Sequence, residues 1–278
     1  MISTSAAPSL SRNSQYAPRH FPLPRPPHIE LGDGSKIPIL YEDRSVLAID
    51  KPAGWMLVPH TWQKTNRNLQ AAIVSSLTAG DFWARSRGLK FLRHIHRLDA
   101  ETSGVLLLAR SQGALDTIGD LFESRRISKS YLAVVRGTPK QDEWNCQLQL
   151  GPDPKQIGRV RVDPLEGKEA ETHFRVIQRG AQTTLIEARP VTGRTHQIRV
   201  HLDAGGHPVL GDPLYGPRES RPAKSSGRPA DFPLALRAVA LAYVDPFTRR
   251  PVEILAPEKE FRQRFGFGGT RAGKPPPG

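Results

Sequence analysis

Residues 96–104 read His96-Arg-Leu-Asp99-Ala-Glu-Thr-Ser-Gly104 and run straight into Val105-Leu-Leu-Leu-Ala109. An unbroken apolar run of that length, bounded by turn residues, predicts a buried strand. The turn before it places one carboxylate, Asp99, close to the fixed cation Arg97. A carboxylate held there is a candidate nucleophile. Asp, Thr, Ser and Gly are also ordinary turn residues, so the segment alone reads equally well as a turn capped by Asp99, or as a surface pair with Arg97.

Working outward, Ile37–Tyr41 and Val46–Asp50 are short apolar runs around Glu42-Asp-Arg-Ser45, the pattern of a hairpin. Leu69, Ala72, Ile73 and Leu77 recur at helical spacing within Asn68–Leu77. Residues 92–98 read as extended. Ser111 is placed to cap a helix from Gln112 to about Phe122, with Leu115, Ile118, Leu121 and Phe122 on one face. Ile127–Arg136 reads as a strand. Between Trp144 and Val191, strand-like runs alternate with Gly-Pro, Asp-Pro and Glu-Gly breaks, which predicts an antiparallel meander. A further helix from about Thr195 to Gly205-Gly206 lacks a clean apolar stripe, and its glycines suit a left-handed cap. Leu234–Val244 and Val252–Leu255 read as closing strands. The fold class is α+β, a mixed and largely antiparallel central sheet flanked by helices and loops.

The termini differ in composition. Residues 1–35 form a Ser-, Pro- and Arg-rich tail with no acid before Glu30, and its prolines interrupt any amphipathic helix, so a disordered tail is expected rather than a transit peptide. Residues 36–260 then read as one domain interrupted by a basic insertion at 217–231, and residues 261–278 as a basic, Gly- and Pro-rich tail. The chain of 278 residues is 37% hydrophobic, enough for a core, and carries 40 Lys and Arg against 27 acids, a net charge of +13. Such an excess favours a polyanionic partner, nucleic acid above all. Cys146 is the only cysteine, so neither a disulfide framework nor a thiolate metal cluster is available. No apolar run approaches the ~20 residues needed to cross a bilayer, and a cytoplasmic, soluble monomer is expected.

Four segments, in order, resemble one family. His96-Arg-Leu-Asp-x-x-Thr-Ser-Gly-x-Leu-Leu-Leu-Ala109 resembles the active-site segment of the RluA-type pseudouridine synthases. Ile39–Asp43 leading to Ala48-Ile-Asp-Lys-Pro-Ala-Gly54 is similar to that family's opening hairpin, and Ile127-Ser-Lys-Ser-Tyr-Leu-Ala-Val-Val-Arg-Gly137 to its tyrosine strand. Thr192-Gly-Arg-Thr-His-Gln-Ile-Arg-Val-His-Leu202, followed by His207-Pro-Val-Leu-Gly-Asp-Pro-Leu-Tyr-Gly216, is similar to its last motif. The resemblance implies a pseudouridine synthase fold and an isomerase that turns specific uridines of structured RNA, ribosomal or transfer, into pseudouridine.

It also implies roles. Asp99 is the catalytic carboxylate, acting as nucleophile or as base, and it must be ionised; an arginine beside it favours the anion. That partner is assigned to Arg199, with Arg194 second. Tyr131 stacks on the extracted uracil, although a tyrosine on a strand is also an ordinary core residue. Arg97 contacts the nucleic acid or holds the loop, and Lys129 meets phosphate or is simply solvated. His96, His196 and His201 read as hydrogen-bonding structural residues. The isomerisation demands neither redox step nor metal, so no cofactor is expected. Two other readings are a non-catalytic RNA-binding module and a metallohydrolase built on His94-x-His96-x-x-Asp99. Extended backbone there would turn Asp99 away from both imidazoles. Many members of the family carry a small basic RNA-binding domain before the catalytic one; here about 35 low-complexity residues precede the first strand, so target choice is expected to fall to the catalytic face, the insertion and the C-terminal tail.

Overall fold

The structure is a computed structural model that describes residues 25–58, 67–217 and 233–268. Apart from Pro217, the basic insertion lies outside the described residues, as do residues 1–24 and 269–278 of the two tails.

Thirteen strands and five helices follow one another in the described residues. β1 (His28–Glu30), β2 (Lys36–Glu42), β3 (Val46–Lys51), β4 (Arg93–His94) and β5 (Ser103–Ala109) come from the first half. From the second come β6 (Ser128–Arg136), β7 (Glu143–Cys146), β10 (Thr172–Arg179), β11 (Thr183–Pro190), β12 (Leu236–Val244) and β13 (Pro251–Leu255). These form one sheet in the order β1-β2-β3-β5-β12-β6-β11-β10-β7, with β4 added to β5 and β13 to β12. All its pairings are antiparallel except β5 with β12. The short strands β8 (Leu150–Pro152) and β9 (Val160–Val162) make a separate two-stranded sheet.

The central strands are apolar throughout because both faces are covered. On β3, Leu47 and Ile49 join one core while Val46 and Ala48 join another, and on β5 Leu106 and Leu108 alternate in the same way with Val105 and Leu107. Helix α1 (Leu69–Ala79) packs on the first face; its cap Asn68 accepts from the Ala71 amide, and Gly80 ends it in the left-handed region. The short helix α2 (Phe82–Arg85) contributes Trp83 to the same core. Helix α3 (Gln112–Glu123) covers the other face with Ile118 and Leu121, and Ser111 caps it by accepting from the Ala114 amide. A third core gathers β6, β11 and helix α4 (Gln197–Ala204). Tyr131 packs against both this core and the first, so it sits at the seam between the two halves of the sheet.

Gly104 explains the tightness of that seam. Its φ is +111°, and a Cβ there would collide with the Ala238 carbonyl oxygen on the parallel neighbour β12.

Three expectations need correction. The N-terminal tail does not run to residue 35, because His28–Glu30 pairs with Lys36–Pro38 of β2 and buries Ile29. The stretch from Trp144 to Val191 is not one meander: β7 pairs with β10, and the β8–β9 hairpin between them leaves the main sheet. The C-terminal tail does not start at 261, because helix α5 (Lys259–Arg264) packs Phe261 and the chain buries Phe267 in the third core. The left-handed cap expected of Gly205-Gly206 after α4 is supplied by Gly206, at φ +78°, while Gly205 keeps φ −77°.

Candidate active site

The sheet order sets the site. Asp99 lies in the loop entering β5, Tyr131 on β6 two strands away, and Arg199 on α4, which packs over the second half of the sheet. The Asp99 loop is braced from below. Lys51, wholly enclosed at the end of β3, donates to the carbonyls of Pro52, Ala100 and Thr102 at 3.1, 3.1 and 2.8 Å. The Gly54 amide also reaches the Ala100 carbonyl, and the Thr102 amide closes the turn on the Asp99 carbonyl. Burial pushes the Lys51 ammonium down to about 8, against the upward pull of Asp99 and Glu101.

Arg199 is 0% exposed. Its Nε and Nη2 form a fork on Asp212, at 2.7 and 2.8 Å, and Nη1 alone reaches Asp99 Oδ2 at 3.2 Å. Glu101 approaches the same Nη1 at 3.7 Å. Burial alone would raise the Asp99 carboxyl, but the fields of His196 when charged, of Arg199 with its hydrogen bond, and of Arg97 outweigh it and hold the group below the usual carboxylate range. Helix α4 is buried from Gln197 to Leu202 on every side, which is why its sequence shows no single apolar stripe.

Arg97, Asp99, Lys129, Tyr131, Arg194 and Arg199 all line one cleft of about 420 Å³. Tyr131 lies on its wall, with its hydroxyl pushed well up by burial and then by Asp99. Lys129 donates to the Thr192 carbonyl at 3.1 Å, and burial pushes it down to about 8. Arg97 is exposed at the mouth. Arg194 is exposed too, with Nε on the Glu169 carbonyl, so it does not pair with Asp99. A second cleft, of about 770 Å³, opens on the other side of the Asp99 loop and shares Arg97, Asp99 and Arg194 with the first. The β8–β9 hairpin bounds it, presenting Ile157 with 79% exposure.

The histidines are engaged. His96 Nε2 accepts from the Leu107 amide and the ring stacks on Phe122, and burial drives it down to about 3. His94 meets Gln70, and His201 meets Thr172 and the Leu148 carbonyl. Among the described residues no group of three His, Cys, Asp or Glu side chains gathers as a metal site. Asp212 and Lys51 are the parts of the site that the sequence reading passed over. Both stand inside the segments quoted for their resemblance, and a lysine closing the apolar run Val46–Ile49 was the available signal.

The chain is also similar to known proteins over most of its length. Residues 45–204 match the family model for RNA pseudouridylate synthase. The ribosomal large subunit pseudouridine synthase C of Escherichia coli strain K12 is 38% identical over 241 residues, covering 86% of this chain and 72% of the relative. Its counterpart in Vibrio cholerae is 34% identical over 243 residues, covering 84% and 70%. Among solved structures, human RNA pseudouridylate synthase domain containing 1 superposes with a TM-score of 0.60 at 28% identity, covering 80% of this chain and 83% of that one.

Proposed function

The chain belongs to the RNA pseudouridylate synthase family, an RNA-modifying isomerase, and from that premise we propose that it acts on uridines of large-subunit ribosomal RNA with Asp99 as its catalytic carboxylate. The ribosomal substrate is carried over from the named activity of the bacterial relatives, which the chain matches over most of its length. With it comes a cytoplasmic setting. No helix among the described residues is long and apolar enough to cross a membrane.

The observation that carries the role of Asp99 is its place: an anion tethered by a fully buried arginine, on the ridge where two clefts meet. A uridine buried in folded RNA must leave its stack before a side chain reaches its glycosidic bond. The first cleft takes the uracil, whose face lies on the Tyr131 ring, and the second takes the adjoining chain. Arg97 and Lys129 supply cations for phosphate at the mouth and along the wall.

The N1–C1′ bond then breaks, the held uracil turns, and C5 bonds to C1′. C5 gives up its proton and N1 ends with one, so atoms and electrons balance without an external oxidant. As nucleophile, Asp99 forms and then releases a bond to the sugar or the base; as base, it borrows a sugar proton. Both routes need the ionised form that Arg199 supports. Tyr131 keeps the freed base from escaping between the two bonds.

The test is Asp99→Asn, assayed by release of tritium from C5 of uracil in ribosomal RNA. Release is expected to vanish while RNA retention on a filter stays as in the wild type. Near-normal release would remove Asp99 from the chemistry.

A further inference from the structure

His196 has an unusual backbone. Its φ is +54°, a left-handed conformation that bulky side chains seldom adopt, although histidine tolerates it better than most. The turn into α4 would be made more easily by glycine or asparagine, so the imidazole itself needs an explanation. Ring Nδ1 lies 2.9 Å from the Tyr215 hydroxyl, and the same hydroxyl oxygen accepts from the Val160 amide at 3.0 Å. Ring Nε2 lies 3.9 Å from Asp99 Oδ1. The two rings meet edge to face at 81°.

Tyr215 is 2% exposed, so its hydroxyl proton needs an acceptor inside the protein. The Val160 amide already fills one side of the oxygen, and His196 Nδ1 stands on the other. A ring that accepts at Nδ1 carries its own proton on Nε2 when neutral. The chain therefore runs in one direction: Val160 amide to Tyr215 oxygen, Tyr215 hydroxyl to Nδ1, and Nε2–H toward Asp99.

We propose that His196 is a positioning residue for Asp99, locked by Tyr215 as a neutral ring whose Nε2–H steadies Oδ1 while Arg199 holds Oδ2. The proposal rests on Asp99 being the reacting carboxylate. Neutrality is the point of the lock. Oδ2 already faces a cation, and a second full charge on Oδ1 would weaken the carboxylate as nucleophile and as base. A neutral N–H fixes its direction at a smaller loss of reactivity. Protonation would place a proton between Nδ1 and the Tyr215 oxygen and displace the tyrosine's own. The charged groups around the ring are Asp99, Glu101 and Asp212, which draw it up, and Arg199, which with burial pushes it down; burial dominates and the net shift is downward. The 3.9 Å gap exceeds a hydrogen bond in the free protein, and such contacts tighten when substrate enters.

Rates of C5 tritium release from in vitro transcribed large-subunit ribosomal RNA, measured across pH, test this in three variants. His196→Leu is expected to lower kcat about 10- to 100-fold, as for loss of a hydrogen bond to a charged group, with KM unchanged. His196→Gln, whose amide nitrogen stands near the Nε2 position, is expected to restore most of kcat and to lack the acid limb caused by ring protonation. Tyr215→Phe frees Nδ1 for a proton and is expected to move that limb upward by about one pH unit. A kcat for His196→Leu near that of the wild type overturns the proposal, as does an acid limb unmoved in both other variants. A KM that rises in step with the loss of kcat overturns it too, because the ring would then be an RNA contact. Wild-type protein that releases no tritium from this RNA points instead to a wrong ribosomal assignment, and Asp99→Asn that retains release removes the premise itself.

Discussion

Asp212→Asn isolates the charge that holds Arg199. The amide keeps Oδ1, which accepts from the Leu214 and Tyr215 amides at 2.9 and 3.1 Å, so the loop keeps its anchor. The anion under the guanidinium fork is lost. Arg199 and Asp212 side chains are both 0% exposed, and no solvent reaches the unbalanced cation. Removing one member of such a pair costs about 3–5 kcal/mol. Asp99, still 3.2 Å from Nη1, places this case at the lower end. A loss of about 3 kcal/mol lowers the melting temperature of a domain this size by about 6–12 °C.

Differential scanning calorimetry reads that shift, and tritium release reads the second consequence. The guanidinium, relieved of Asp212, falls more fully on Asp99, so kcat drops while KM holds. The double variant Arg199→Met with Asp212→Asn removes both charges while Oδ1 still accepts from the Leu214 and Tyr215 amides, and its melting temperature is expected to recover most of the loss while activity stays absent. A single variant melting within about 2 °C of the wild type, or a double variant less stable than the single, refutes the reasoning.

Gly104→Ala puts a Cβ into the Ala238 carbonyl and is expected to prevent folding, seen as loss of the cooperative melt. Tyr131→Leu keeps apolar bulk in the cleft but loses the stacking face, and is expected to reduce turnover more than filter-measured RNA affinity; equal losses would reduce Tyr131 to a core residue. Lys51 and Lys129, both pushed to about 8 by burial, are charged below that pH and neutral above it. Above about pH 8, kcat is expected to fall as Lys51 loses one of its three donors, and KM to rise as Lys129 loses its charge. Unfolded lysine keeps its proton to about pH 10.4, so between these values the unfolded state binds more protons and these two groups' contribution to stability rises with pH. A loss of activity without loss of melting temperature is the signature, and a flat rate profile to about pH 9.5 would contradict it.

What the sequence reveals depends on which physical signal each element carries. β3 and β5 are central and covered on both faces, so continuous apolar runs betray them, and α3 announces itself through Ser111 and a one-sided stripe. His28–Glu30 is polar at both ends and owes its strand conformation to pairing with β2, which no local pattern encodes. Phe267 sits in a Gly- and Arg-rich segment whose composition reads as loose chain, yet one buried ring ties it to the third core. Asp99, Arg199 and Tyr131 lie on three separate elements, and only the order of the motifs brings them together on paper. The alternation of β6 alone would have made Tyr131 an ordinary core residue.

Asp212 shows why buried charge is the hardest part to read. An aspartate between glycine and proline looks like a turn former, and nothing nearby marks it as the partner of a helix residue. Yet its position decides what Arg199 does to Asp99. Had the full fork closed on Asp99, two charge-assisted bonds would have held that carboxylate as a structural counter-ion with little basicity left. With the fork on Asp212, a single N–H remains for Asp99. The carboxylate is kept ionised and aimed without being saturated, and Lys51 adds its support one step removed, through the backbone carbonyls of the loop. The division of labour thus places the strongest electrostatic contacts in the buried frame and leaves the weaker one at the carboxylate proposed to react. Moving the fork to Asp99, as Asp212→Asn favours, should therefore bind the carboxylate more firmly and make it a worse reagent.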